Sequence, residues 1–278
     1  MVYRFLPGKM YRMPTHFGPS LGPRQGPDGR TFDCKNAPKT REHRVRFLTN
    51  PEQLEAILPE GFSLAGEPVV TVEASYFSEI QWLAGYGYNI LGVSFPATFK
   101  GTQDHVTGRF LSVLWEDLAD PILTGREELG FAKIYCEIPE PRVYEGTTHC
   151  MASWKTYRFM DMKITNLKPM SPDEIKTVQT GPQDDGLLHY KYITRTGDWS
   201  EADISHAVLT PTHTPNWTVK EGWSGDGSVA FRQAEWEDLP TTCHIVNTFA
   251  GLEIKEVLGA TILNTVGAKD LGDQRILR

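Results

Sequence analysis

Residues 67–115 read EPVVTVEASYFSEIQWLAGYGYNILGVSFPATFKGTQDHVTGRFLSVLW. Three runs within it (67–77, 88–99 and 105–115) are rich in β-branched and aromatic residues, and Gly and Asp fall between them. That pattern predicts three strands joined by short connections. The same texture continues on either side. HRVRFLT (43–49) precedes it, and TTHCMASWKTYRFMDMKI (147–164), LLHYKYITR (187–195), NWTVKEGW (216–223), SVAFRQ (228–233) and HIVNTFAGLEIKEVLG (244–259) follow. WSGDG (223–227) reads as a hairpin turn between two of these runs. Helix signals are few. In NPEQLEAILPEG (50–61), Asn50 can cap, Pro51 takes the first helical position, and Leu54, Ile57 and Leu58 share a face. SPDEIKTVQ (171–179) is a second short helix, and GREELG (125–130) a single turn. The expectation is a mainly β fold: one large antiparallel domain over 41–278, closed or sandwiched to protect its edges.

Residues 1–40 have a different composition. Pro and Gly crowd positions 7–40, which disfavours long helices and central strands. Tyr11, Met13, His16 and Phe17 give this stretch something to bury, so it reads as an arm lying on the body or on a neighbouring subunit.

The chain has 278 residues, a net charge of -7 and no Lys/Arg run, which argues against a nucleic-acid surface. No apolar run approaches a membrane span, and the N-terminus lacks the pattern of a signal peptide. Cys34, Cys136, Cys150 and Cys243 have no CxxC spacing, and the eight histidines form no HxH, HxxxH or HExxH motif. A reduced cytoplasmic protein without a metal or other cofactor is expected. No GxSxG or GxGxxG is present to suggest a hydrolase elbow or a dinucleotide site.

One residue stands apart. In GREELGFAKIY (125–135), Lys133 sits between Phe131-Ala132 and Ile134-Tyr135. A lysine titrates near 10.4 in water, and apolar surroundings disfavour its charged form, freeing the amine as a nucleophile. By pattern alone, a strand with Lys133 on its wet face is the better-supported reading.

The chain resembles the acetoacetate decarboxylase family. Gly125-Arg126-Glu127, followed by Gly130-Phe131-Ala132-Lys133, is similar to that family's turn and Schiff-base lysine, with Ala132 where proline is usual. REHRVRFLTNPEQLEAILPEGFSLAGEPVVTVEAS, VKEGWSGDGSVAFRQAEWEDLP and HIVNTFAGLEI resemble further family segments, so the likeness covers about residues 40–260. It implies a β-barrel or cone, a homo-oligomer, and a lysine in an apolar funnel that forms an iminium with a small-molecule carbonyl substrate. Carried over by position, Lys133 is the Schiff-base lysine and Glu73 a pocket glutamate. Arg41 is the first candidate for binding a substrate carboxylate, with Arg44 the alternative. Two departures follow. Ile134 stands where the decarboxylases carry a second lysine, so Phe131 and Ile134 are expected as apolar wall. Tyr86 or Ile90 stands where a second pocket glutamate is expected. Tyr86, Tyr88 and Trp115 would shape the pocket. The simplest expected activity is decarboxylation of a β-keto acid. An aldolase or dehydratase acting on a larger oxo-acid and a non-catalytic ligand-binding protein are the alternatives.

Overall fold

A computed structural model describes residues 3–14, 18, 24–181, 183–212 and 214–278. His16, Phe17 and His213 lie outside the described residues. The strands are β1 (Lys39–Leu48), β2 (Phe62–Leu64), β3 (Val69–Ser78), β4 (Tyr88–Lys100), β5 (His105–Glu116), β6 (Lys133–Tyr135), β7 (Arg142–Tyr144), β8 (Thr147–Trp154), β9 (Tyr157–Pro169), β10 (Gly186–Arg195), β11 (Asp198–Pro211), β12 (Thr218–Phe231), β13 (Glu256–Val266) and β14 (Arg275–Ile276); β2, β7, β11 and β14 fall outside the predicted runs. They build one 14-stranded sheet in the order β14-β11-β10-β5-β4-β3-β1-β13-β12-β9-β8-β7, with β2 on β4 and β6 on β5. The sheet is mostly antiparallel, but β6 and β10 both run parallel to β5. Among the described residues no pairing joins β14 to β7, so the sheet is open, and the expected barrel closure does not occur.

Among the described residues four short α-helices sit on it: α1 (Pro51–Glu55), α2 (Ala119–Thr124), α3 (Pro172–Thr180) and α4 (Cys243–Ala250). The first and third start as predicted. Asn50 accepts a hydrogen bond from the Glu52 N–H, and Ser171 and Glu174 form a reciprocal capping box. Two readings need correction. Residues 244–250, read as strand, lie in α4: Val246 and Phe249, three apart, are buried against the sheet, which outweighs the β-branched composition. WSGDG is not a turn but the interior of β12. A Cβ at Gly225 would stand 2.4 Å from the Thr165 carbonyl oxygen, and one at Gly227 would stand 2.8 Å from Val45 Cγ2 and Ala260 Cβ. Glycine at these positions admits the neighbouring chain, not a reversal.

The described part of the arm packs on this body. Arg12 pairs with Glu128 at 2.8 Å, Asn216 Nδ2 donates to the Asp33 carbonyl at 2.6 Å, and the Gly267 N–H donates to the Pro38 carbonyl at 2.9 Å. A core of Trp115, Phe95, Phe159, Leu91, Met160, Met162 and their neighbours fills one face of the sheet. The candidate site lies on the other.

Candidate active site

Strand pairing lines up one row of residues across five strands. Arg44 on β1 is opposite Glu73 on β3, Glu73 opposite Gly92 on β4, Gly92 opposite Leu114 on β5, and Leu114 opposite Lys133 on β6. Residues in such a row point to the same face, so this register brings Arg44, Glu73 and Lys133 to one cavity wall. Gly92, with no side chain, leaves space in the middle. The cavity measures about 1080 Å³, and Lys133, Phe131, Glu116, Tyr88, Glu73 and Arg44 all line it.

The local chain path explains how Lys133 reaches that wall. Helix α2 runs into a π-helical turn over Gly125–Leu129, which ends at Gly130 in the left-handed conformation (φ 79°). The Phe131 N–H donates to the Gly125 carbonyl at 2.9 Å, and Arg126 Nη1 donates to the Lys133 carbonyl at 2.7 Å. The GRE segment thus pins the backbone on either side of the lysine. Gly125 also makes room for it, because a Cβ there would stand 2.4 Å from both Lys133 Cδ and Cε.

The lysine side chain is buried, with 3% of the residue exposed. Its Nζ lies 2.8 Å from Glu116 Oε1, donates to the Pro121 carbonyl at 3.1 Å, and sits 5.5 Å from the centre of the Phe131 ring. Burial pushes the ammonium below the usual lysine range; Glu116 opposes this, and Arg24 adds to it. Phe131 is held in turn by a stacked His189 ring 4.3 Å away. His189 is fully buried between the Gly130 carbonyl (2.8 Å) and Thr210 Oγ1 (3.0 Å).

Glu116 completes the centre, and sequence reasoning missed it. Only 1% exposed, it faces Ile90 across the β4–β5 ladder, and among the described residues its Oε2 has no hydrogen-bond partner. Burial raises its carboxyl above the usual range, while Lys133 pulls it down. Further along the wall, Arg44 is spent on carboxylates: Nε donates to Glu73 Oε2 at 2.6 Å and Nη2 to Glu42 Oε2 at 2.5 Å. Burial works to raise Glu73, but Arg44 and the Ser75 hydroxyl, which donates at 2.9 Å, hold it below the ordinary value. Glu42 is pushed up by burial. Tyr88 lines the same space, and burial raises its phenol.

Four of the sequence-predicted pocket residues lie elsewhere. Arg41 is an odd number of residues from Arg44, so it points to the opposite side of β1; it is half exposed, pairs with Glu140, and lies over the Tyr76 ring. Trp115 and Ile134 are each one residue away from a cavity-facing neighbour and therefore face the core. Trp115 packs on Phe159, Phe231 and Phe249, and Ile134 packs against the same cluster. Tyr86 is 77% exposed, in the loop before β4. Its aligned alternative, Ile90, does line the cavity. The arm contributes an unpredicted arginine: Arg24 lines the cavity, its guanidinium lies 5.8 Å from the Trp82 ring centre, and its buried Nε has no hydrogen-bond partner among the described residues. Among those residues, no group of three or more His, Cys, Asp or Glu could hold a metal ion.

The family model for acetoacetate decarboxylase matches residues 12–274. The chain belongs to the acetoacetate decarboxylase family. The match starts inside the arm and runs beyond residue 260, so it covers more of the chain than the sequence motifs did. An acetoacetate decarboxylase of Burkholderia vietnamiensis is 29% identical over 110 residues, 39% of this chain and 40% of that relative's length. The fold matches an acetoacetate decarboxylase from Legionella pneumophila with a TM-score of 0.66 at 20% identity, over 91% of this chain and 92% of the other. It also matches the enduracididine biosynthesis enzyme MppR complexed with the condensation product of pyruvate and imidazole 4-carboxaldehyde, with a TM-score of 0.62 at 15% identity, over 92% and 95% of the two chains. Solved structures that share this fold thus include an acetoacetate decarboxylase and an enzyme complexed with a condensation product.

Proposed function

We propose that the protein is an iminium-forming lyase acting on a small oxo-acid, with Lys133 as the nucleophile. The observation that carries this reading is the Lys133 amine, buried in a cavity wall and depressed below the usual lysine range. The unprotonated amine adds to the substrate carbonyl, and loss of water gives an iminium. That cation accepts the electron pair released when a bond to the adjacent carbon breaks. In its simplest form the departing group is carbon dioxide from a β-keto acid, after which the enamine is protonated and hydrolysed.

Arg24 is the proposed partner for the substrate carboxylate in place of Arg41, because its Nε is buried, unpartnered and on the cavity. A second reading, aldol or dehydration chemistry on a larger oxo-acid, is favoured by the roughly 1080 Å³ of space, far more than a four-carbon acid fills. Homo-oligomeric assembly is proposed on family resemblance alone.

Sodium borohydride added to protein with acetoacetate or pyruvate should fix the substrate as a mass increment on Lys133. Lys133→Ala should give no adduct and no turnover. Carbon dioxide release from acetoacetate then separates decarboxylation from the second reading. A wild-type protein that traps neither carbonyl compound would favour a ligand-binding role and end the iminium reading.

A further inference from the structure

We propose that Glu116 is the catalytic acid–base group of this site, carrying the proton to and from the carbon next to the lysine-bound carbonyl carbon. The proposal rests on the iminium reading above. Its first support is position: Glu116 Oε1 is 2.8 Å from Lys133 Nζ, and both side chains line the cavity. Once the iminium forms, the α-carbon is two bonds from that nitrogen and so within reach of the same carboxyl group. The second support is an unused oxygen. Glu116 Oε2 is buried without a hydrogen-bond partner among the described residues, although nearly every buried carboxylate oxygen in a folded protein finds one. A buried acceptor left free beside a reacting nitrogen is suited to receive a proton from substrate. The third is that the two other glutamates lining the cavity, Glu73 and Glu42, both hold Arg44.

The step balances without a further reagent. Oε2 takes the α-proton, the C–H pair becomes the enamine double bond, and the C=N π pair moves to nitrogen, which becomes neutral. Run in reverse, the Glu116 carboxylic acid gives its proton to the enamine carbon left after carbon dioxide departs. The same residue therefore serves decarboxylation as the acid and an aldol-type reaction as the base. Burial, by raising the Glu116 carboxyl, favours a group that can hold a proton between the two halves of the cycle.

The probe is deuterium exchange into the methyl protons of acetone or pyruvate in D2O, followed by proton NMR, alongside borohydride trapping. Glu116→Gln should slow exchange by about 10²–10⁴-fold, the usual worth of a positioned acid–base group. It should still trap substrate on Lys133, because removing the carboxylate removes an interaction that holds the proton on the amine. Glu116→Asp should restore part of the exchange, which a purely structural role would not predict. Wild-type exchange in Glu116→Gln overturns the proposal and leaves the iminium reading standing. Exchange lost in Tyr88→Phe but kept in Glu116→Gln also overturns it, moving the role to the Tyr88 hydroxyl. A wild-type protein that traps no substrate removes both readings.

Discussion

The Lys133 side chain lies across the Cα of Gly125, so Gly125→Ala is a local probe of the proposed nucleophile. The added methyl would stand 2.4 Å from Lys133 Cδ and Cε and 2.7 Å from Nζ. Carbon contacts settle at about 3.5–4.0 Å, so the lysine must retreat by about 1 Å. It has little freedom to do so without losing its contacts, because Nζ is held by Glu116 and the Pro121 carbonyl in a buried setting. The backbone itself tolerates alanine: Gly125 has φ −65° and ψ −40°, ordinary right-handed values, and alanine is preferred to glycine there by about 1 kcal/mol. This gain offsets part of the steric cost, so the variant should fold and its melting temperature should move by only a few degrees. The amine should suffer far more. A displacement of about 1 Å from a reactive geometry costs about 10²-fold, equivalent to about 2.7 kcal/mol on the barrier. The assay is the rate of borohydride-trapped adduct on Lys133 with acetoacetate, read by mass spectrometry, with circular dichroism to follow melting. A folded Gly125→Ala protein that traps at the wild-type rate would refute the argument that this close packing sets the amine's position.

Other consequences concern stability and binding. Burial lowers both His189 and His43 to about 4, against 6.5 for a free histidine. Between those values the unfolded chain binds the extra protons, so stability should fall as the pH drops from about 6.5 to 4, by up to about 3 kcal/mol per residue. Urea titrations at pH 7 and 4.5 should show His189→Gln losing about half of this acid sensitivity; an unchanged pH dependence would count against the buried neutral ring. Gly227→Ala should cost about 1–3 kcal/mol through overpacking against Val45 and Ala260, seen as a lower urea midpoint, and an unchanged midpoint would mean the strands have room to spare. Arg24→Ala should raise KM for an oxo-acid with little change in kcat, while Arg41→Ala leaves both unchanged. The opposite pattern would return the carboxylate role to Arg41.

Most of the sheet was legible because its longer strands alternate strongly, whereas β2, β7, β11 and β14 fell outside the runs read from the sequence. Two segments were misread because a neighbour decides their state. Cys243–Ala250 is rich in residues that suit strands, yet buried Val246 and Phe249 and the Asn247 amide, which bonds both the N–H and the C=O of Ala234, make it a helix. The glycines of WSGDG look like punctuation until the close approach of β9, β1 and β13 is known. The arm posed the same problem: nothing in its own Pro/Gly composition indicates that Arg24 lines the cavity.

The site divides along the same line. Lys133 and Glu73 were legible through resemblance, because each stands inside a motif. Arg41, Trp115 and Ile134 were misplaced by parity, since a shift of one residue on a strand exchanges cavity for core. Glu116 needed more than parity. It meets Lys133 only because β6 returns parallel to β5 with Leu114 opposite Lys133, a register set by α2, the π-helical turn and the Arg126 anchor rather than by any local pattern. That register also recasts the carboxylate missing at Tyr86 or Ile90. Ile90 faces the cavity as a plain hydrocarbon, but its partner across the β4–β5 ladder is Glu116. A carboxylate at Ile90 would project from β4, whereas Glu116 projects from β5, the strand paired directly with the lysine's own. The cavity therefore keeps a second acidic group but moves it onto the amine. There it opposes the burial that lowers the Lys133 ammonium and, in the proposed mechanism, supplies the acceptor for the later proton step.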